Sequence, residues 1–124
     1  PAQQDGPTRP RRLLLVEDDA EVRAVIAAQL EAEGHDVVVQ DSATGAVELL
    51  ESGERFDMVL TDYAMPVLSG IEVAARVEAC CPGTPVLLIT GFAEIGDTPV
   101  GVPVLTKPFT ADQLHAAIAQ ILGR

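Results

Sequence analysis

Acidic side chains follow two apolar runs of the sequence, at the point where each run ends. Residues 13–16 are all Leu or Val, and the second run, Phe56-Asp57-Met58-Val59-Leu60-Thr61, leads to Asp62. The acids that follow the two runs are Glu17, Asp18, Asp19 and Asp62. If the runs are neighbouring parallel strands, these carboxylates meet at one edge of a sheet and repel one another unless a cation joins them. The pattern therefore predicts a site for a hard divalent metal and chemistry on a carboxylate.

Two further apolar runs end in side chains that suit the same chemistry. Residues 86–89 end in Thr90, and residues 102–106 end in Lys107, which is the only lysine in the chain. An ammonium group can pair with one anionic oxygen while a hydroxyl donates to another. Mg²⁺ prefers carboxylate oxygens, with water and phosphate oxygens completing its octahedron. Carboxylates, metal, hydroxyl and ammonium together indicate phosphoryl transfer to an aspartate.

The elements that must position these residues alternate regularly along the chain. Short apolar runs predict strands at about 13–17, 36–40, 57–61, 85–90 and 102–106. Between them, a four-residue apolar repeat predicts one helix over 22–30, a second helix spans about 43–52, and cap patterns at Ser69 and Thr110 start two more. Strands that alternate with helices predict an α/β fold with a parallel sheet covered on both faces. Ligands of such folds bind at the carboxyl ends of the strands.

Length, charge and composition limit the classes of function. The 124 residues fit one domain, and no apolar run approaches the length of a membrane span. The net charge is -11, and three of the eight basic residues lie within residues 1–12. Binding to the phosphate backbone of nucleic acid needs clustered basic residues, so we expect no nucleic-acid contact by this segment. Because it has no long apolar run, we also expect no membrane contact. Cys80 and Cys81 are adjacent, and we interpret them as reduced thiols near a helix end, in a cytoplasmic protein.

We expect two regions along the chain. Residues 1–12 hold three prolines and no apolar periodicity, which predicts a disordered linker or tail. Residues 13–124 then form the folded domain. The chain begins with Pro rather than Met, and this suggests a piece cut from a larger protein.

The ordered motifs resemble those of response-regulator receiver domains of two-component signalling. The similarity covers about residues 13–122. No single motif is specific to the family, but the order of the motifs and their positions at strand ends are together specific to it. The motifs are Val16-Glu17-Asp18-Asp19, Asp62-Tyr63-Ala64-Met65-Pro66 with Gly70, Thr90-Gly91, and Lys107-Pro108-Phe109. The resemblance implies a flavodoxin-like, doubly wound sheet of five parallel strands in the order 2-1-3-4-5.

The same resemblance implies a role for each matching residue. Asp62 would accept a phosphoryl group from the phosphohistidine of a histidine kinase or a histidine phosphotransfer domain. Thr90 would follow that group on activation, and Lys107 would pair with it. The isolated domain would not be an enzyme on other substrates, since it would promote only its own aspartyl phosphorylation and dephosphorylation.

The resemblance also implies a magnesium site. Asp18 would bind Mg²⁺ directly, and Glu17 would act more through water. Asp62 and the main-chain oxygen of Ala64 would belong to the same metal site. Asp19 is expected to cap the first helix instead of binding metal.

Two departures from the family affect the expected output. Lys107 follows Thr90 by 17 positions, a shorter interval than the family usually has, so a fourth helix between them should be short or absent. Val104 stands where the family usually carries a Tyr or Phe that rotates on activation. This pattern resembles receivers at the C-terminus of hybrid histidine kinases. A stand-alone single-domain response regulator, or a receiver-like interaction module that is not phosphorylated, remains an alternative.

Overall fold

The computed structural model describes residues 11–65, 67–91 and 102–122. Most of the predicted tail lies outside these residues, and so does most of the segment in which a fourth helix was expected to be short or absent. Within the predicted tail, Arg11 and Arg12 are described, and Arg12 already belongs to the first strand. Among the described helices, none has the length and apolar character that crossing a bilayer requires.

Five parallel strands form one sheet in the order β2-β1-β3-β4-β5, which confirms the predicted topology. The strands are β1 (Arg12–Val16), β2 (Asp36–Gln40), β3 (Met58–Asp62), β4 (Val86–Thr90) and β5 (Val104–Thr106). Four of them lie within one residue of their predicted bounds. Strand β5 begins two residues later than predicted, at Val104.

Four described helices cover the two faces of the sheet. They are α1 (Ala20–Ala32), α2 (Ala43–Glu51), α3 (Gly70–Cys80) and α4 (Ala111–Ile121). The caps expected from the sequence are present. Ser69 Oγ accepts from the Glu72 N–H at 3.3 Å, and the Glu72 carboxylate accepts from the Ser69 N–H at 2.9 Å. The same reciprocal pair, formed by Thr110 and Gln113, starts α4.

The core consists of two apolar layers, one on each face of the sheet. Along β1, Leu13 and Leu15 face the layer that α1 and α4 cover, while Leu14 and Val16 face the layer of α2 and α3. This alternation follows from the two-residue period of a strand. Because β3 and β4 are buried along their whole length, their polar residues can reach a ligand only at the strand ends.

Strand register brings the reactive residues to one edge. Val16 lies opposite Thr61, so the residues that follow them, Glu17 and Asp62, leave the sheet side by side. On the other side of β3, Asp62 lies opposite Ile89, and Thr90 in turn lies opposite Thr106. The carboxyl ends of four strands are thereby aligned.

The start of α3 lies against the end of β3 because residue 70 is a glycine. The Gly70 N–H donates to the Tyr63 carbonyl at 2.8 Å, which closes the loop after Asp62. A Cβ on Gly70 would overlap the main-chain oxygen of Asp62 and would lie 2.9 Å from the Cα of Tyr63. Backbone atoms cannot move aside cheaply, so this close approach holds the loop in place.

We therefore expect Gly70→Ala to lower the free energy of unfolding by about 1–3 kcal/mol, as overpacking does. The measurement is urea denaturation followed by circular dichroism. Gly45→Ala is the matched control, because Gly45 also lies in the first turn of a helix. Its added Cβ would meet the far end of the Gln40 side chain at 2.6 Å and the Ser42 hydroxyl at 3.1 Å, and these are side-chain atoms, not backbone. We expect that control to be neutral or mildly stabilising, and equal losses in both variants would contradict the backbone explanation.

Candidate functional site

The loop after β1 is fixed by its own backbone and by one arginine. The Glu17 N–H donates to the Gln40 carbonyl at 3.1 Å, and Arg23 Nη1 donates to the Glu17 carbonyl at 2.9 Å. Asp19 caps α1, as predicted, since its Oδ1 accepts from the N–H groups of Glu21 and Val22 at 2.9 and 3.1 Å. Glu17 and Asp18 therefore leave a backbone that has little freedom to move.

Three carboxylates meet at this edge, and they are three of the four residues predicted as metal ligands. Glu17, Asp18 and Asp62 each offer an oxygen atom, and these oxygens all lie within 4.8 Å of one another. Glu17 and Asp62 are buried, with 1% and 7% exposure, whereas Asp18 is exposed. Hard oxygen donors grouped in this way suit Mg²⁺. Ala64 is exposed on the loop two residues after Asp62, and the metal role of its main-chain oxygen stays a prediction.

Lys107 lies among the carboxylates. Its Nζ is 3.1 Å from Asp62 Oδ1 and 3.5 Å from Glu17 Oε1, and its side chain is 32% exposed. The backbone places it there, because the Lys107 N–H donates to the Thr90 carbonyl at 2.7 Å. One ammonium group thus serves two buried acids that come from different strand ends.

The electrostatics of the site show that this compensation is incomplete. Burial raises the pKa of Glu17, and the nearby charge of Asp62 raises it further, although the Asp19 N–H and Lys107 oppose both. Burial alone would lower the pKa of Lys107, but its contacts with Asp62 and Glu17 outweigh that effect and raise it. The raised pKa favours the charged form of Lys107, and among the described residues three grouped carboxylates face this one ammonium group, an excess of acids. A divalent cation would offset that excess.

Thr90 brings unused hydrogen-bonding capacity to the end of β4. It is fully buried, and its Oγ1 has no hydrogen-bond partner among the described residues. Thr61, by contrast, donates to the Asp62 carbonyl at 3.1 Å. Most buried polar groups are hydrogen-bonded, so an unpaired hydroxyl at a strand end is consistent with a group that forms its hydrogen bond to a bound ligand.

An apolar groove of about 330 Å³ adjoins the site, and the sequence analysis did not identify it. One wall is formed by residues of α1, including Val22 and Val25, and the other is Pro108-Phe109 after β5. Lys107 belongs to the lining of this groove as well as to the carboxylate site. Val25 is 57% exposed there. We call this feature the α1 groove.

Two features of the site, one residue and one groove, were not identified from the sequence. Arg23 lies one turn into α1 and contacts the main chain of Glu17, so a basic residue soon after an acidic loop was the available signal. The sequence gives only a weak indication of the α1 groove. Val25 is apolar although it does not belong to the four-residue apolar repeat of the helix. Of the predicted site residues, the structure brings together Glu17, Asp18, Asp62 and Lys107.

Comparison with known proteins gives a consistent result. The model of the family described as response regulator receiver domain matches residues 13–119. The response regulator receiver protein CpdR of Brucella abortus is 37% identical over 90% of this chain and 97% of its own length. The transcriptional regulatory protein GlrR of Escherichia coli is 34% identical over 92% of this chain, but the match spans only 27% of GlrR.

A solved structure shows the same fold with a metal. The receiver domain of a sensor histidine kinase from Pseudomonas aeruginosa is 29% identical, covers 94% of this chain and all of its own, and superposes with a TM-score of 0.83. That structure holds a magnesium ion coordinated in the active-site cleft.

Because the carboxylates lie close together, we predict that the charge of Asp62 lowers the free energy of unfolding. Without divalent metal, Asp62→Asn should raise the free energy of unfolding by about 1 kcal/mol, because it removes a buried charge and its repulsion with Glu17. The Lys107–Glu17 pair remains, and the amide oxygen of the new side chain can still accept from Lys107 in place of the carboxylate. Urea denaturation in chelating buffer measures the difference.

Asp57→Asn is the matched control for this prediction. The Asp57 carboxylate accepts from the Arg12 N–H at 2.7 Å at the other end of the sheet, and we expect no gain from its removal. Loss of stability in Asp62→Asn, or an equal gain in both variants, would contradict the repulsion that we infer.

Proposed function

The chain belongs to the response regulator receiver domain family, and from this we propose that Asp62 accepts a phosphoryl group from a phosphohistidine. One observation above all supports the proposal. Asp62, at 7% exposure, lies 3.1 Å from the single lysine of the chain and within 4.8 Å of two other carboxylates. A carboxylate that only capped a turn would need neither neighbour.

The proposed reaction transfers the phosphoryl group from nitrogen to oxygen. An Asp62 carboxylate oxygen attacks phosphorus, the phosphorus–nitrogen bond of the phosphohistidine breaks, and the imidazole leaves with the electron pair. The product on Asp62 is a mixed carboxylic–phosphoric anhydride. In-line positioning and neutralisation of charge supply most of the catalysis in such transfers. Lys107 would pair with one phosphoryl oxygen, and the hydroxyl of Thr90, which is unpaired among the described residues, would bond another.

We propose Mg²⁺ as the cofactor of the site. Asp18 and Asp62 would bind it directly, Glu17 through water, and Ala64 through its main-chain oxygen. The ion would lower the repulsion between Asp62 and the incoming phosphoryl group. The excess of three carboxylates over one ammonium supports this assignment, and so does the magnesium in the similar receiver from Pseudomonas aeruginosa.

We propose that the donor is a protein, a histidine kinase or a histidine phosphotransfer domain. The α1 groove supports this, because an apolar surface beside Lys107 suits a macromolecule better than a small anion. A donor seated there would hold its phosphohistidine close to Asp62. No nucleic-acid contact is proposed for the described domain, whose folded part has few basic residues.

The larger context is also a proposal. The short interval between Thr90 and Lys107, together with Val104, favours the receiver part of a hybrid histidine kinase in the cytoplasm. CpdR, of which the match covers 97%, shows that such domains also occur as stand-alone response regulators. GlrR, of which the match covers 27%, shows that such domains also occur in longer regulators. An antiserum against this domain distinguishes these contexts, because it reports the size of the native protein on an immunoblot.

The central prediction is phosphorylation of Asp62. Incubation with Mg²⁺ and phosphoramidate or acetyl phosphate should add one phosphoryl group to the wild-type chain, measured by intact mass. Asp62→Asn should add none, and chelation of the metal should reduce the yield at least tenfold, since charge neutralisation is removed. Asp57→Asn is the control and should be labelled like wild type.

The opposite results are equally clear. An unmodified wild-type chain would favour the receiver-like interaction module that is not phosphorylated. Equal labelling of Asp62→Asn would show that another residue accepts the group.

The α1 groove gives a second prediction, which concerns the protein donor alone. Val25→Glu should slow transfer from a phosphohistidine protein that labels the wild type by about tenfold or more, because a charge enters an apolar contact. Labelling by phosphoramidate should not change. Val39→Glu makes the same chemical change at a 43% exposed residue of β2, away from the groove, and should leave both reactions unaltered. Equal slowing in both variants, or slowing with phosphoramidate, would refute a docking role for the groove.

A further inference from the structure

Two adjacent thiols lie in contact at the end of α3, away from the carboxylate site. The Cys80 and Cys81 sulfurs are 3.1 Å apart. Cys81 is buried at 5% exposure, while Cys80 is half-buried, and both are free thiols. Arg55 Nη1 lies 3.6 Å from the Cys81 sulfur. The chain contains no other cysteine.

The contact depends on where the helix ends. Neighbouring residues within a regular helix do not face each other. Cys81 is the C-cap of α3, with φ -139° and ψ 64°, so its backbone has already left the helical region. Its N–H nevertheless still donates to the Val77 carbonyl at 2.7 Å. The break turns the Cys81 side chain toward that of Cys80, and the two sulfurs are preorganised as a pair.

A disulfide does not suit this geometry. A disulfide needs sulfurs about 2.05 Å apart and Cα atoms about 4.4–6.8 Å apart, whereas adjacent Cα atoms across a trans peptide are about 3.8 Å apart. Closing such a bond would strain the backbone that Cys81 uses to end the helix.

Zinc does not suit it either. Tetrahedral zinc, with bonds to sulfur of about 2.3 Å, separates two sulfurs by about 3.8 Å and requires two further ligands. Among the described residues, the grouped candidate metal ligands are those of the carboxylate site. The guanidinium group of Arg55 lies 3.6 Å from the Cys81 sulfur, and its positive charge disfavours a metal cation there.

We propose that Cys80 and Cys81 form a binding site for trivalent organic arsenicals of the form R–As(OH)₂. Arsenic keeps its carbon substituent and takes two sulfurs, so it needs no further ligand from the protein. Two arsenic–oxygen bonds break and two arsenic–sulfur bonds form. Each hydroxide leaves with one thiol proton as water. No atom is oxidised or reduced, and no additional reactant is required.

The surroundings of the pair support this chemistry over oxidation. Burial raises the pKa of the Cys80 thiol, and its contact with Cys81 raises it further, so little thiolate is present to react with peroxide. Half-exposed Cys80 gives the arsenical a point of entry. The Cys81 sulfur is then within reach to close the chelate, and Arg55 can donate to it once it carries negative character.

The test uses phenylarsine oxide, which hydrates to the required form, on the folded chain. Intact mass should show one phenylarsenic group added with the loss of two thiol protons. A dithiol such as 2,3-dimercaptopropanol should remove it, whereas excess glutathione should not. Cys80→Ser and Cys81→Ala should each abolish the adduct that resists glutathione. Ser52→Ala is the control, because it removes a hydroxyl at the end of another helix, and this variant should still form the adduct.

Thermal unfolding shows whether the arsenical binds a site of the folded protein or only reacts with two thiols that are adjacent in the sequence. Preferential binding to the folded chain should raise Tm by about 3 °C or more. A fall in Tm, or no change, would show that the arsenical prefers the unfolded chain and would overturn the proposal. So would no adduct on the wild type, or an adduct that glutathione removes. Because no step involves Asp62, the phosphorylation result does not affect the outcome.

Discussion

The structure depends on an unfavourable interaction, the approach of Glu17 to Asp62 at the end of an otherwise apolar sheet. Both carboxylates are buried, and the described cation between them is Lys107, at 3.5 and 3.1 Å. Burying like charges is expensive unless a partner is held in place. Each of the three side chains comes from a different strand end. The apolar layers on the two faces of the sheet must therefore supply the free energy that keeps them together.

Sequence patterns predicted most of this arrangement, because they act locally. Short apolar runs predicted the strands, a four-residue apolar repeat predicted the first helix, and cap patterns predicted two later ones. The resemblance implied the strand order that aligns Glu17 with Asp62, and the sheet has that order. Strand β5 was predicted two residues too long. Pro103 explains the shorter strand, since it lacks an N–H and contributes to the ladder only by accepting from Leu88 at 3.0 Å. The α1 groove was missed for another reason, namely that Val25 and Phe109 are far apart in the sequence.

Two threonines of neighbouring strands show why residue type alone does not identify a site. Thr61 and Thr90 are both fully buried near the ends of β3 and β4. Thr61 satisfies its hydroxyl locally, by donating to the Asp62 carbonyl, and it therefore supports the strand end. The Thr90 hydroxyl has no partner among the described residues. An unpaired buried hydroxyl costs free energy, so its retention beside a carboxylate cluster is more consistent with binding than with packing.

Helix α3 connects the two chemical features of the molecule and also separates them. Its first residue, Gly70, lies against the backbone of Asp62, and its C-cap, Cys81, carries one of the paired thiols. Eleven helical residues span about 16 Å, which exceeds the reach of a direct electrostatic contact in salt solution. A neutral arsenical bound at the thiols would therefore act on Asp62 only by moving the whole helix. Gly70 opposes such movement, because its close contact with the Asp62 backbone leaves the helix start no space to shift toward the strand.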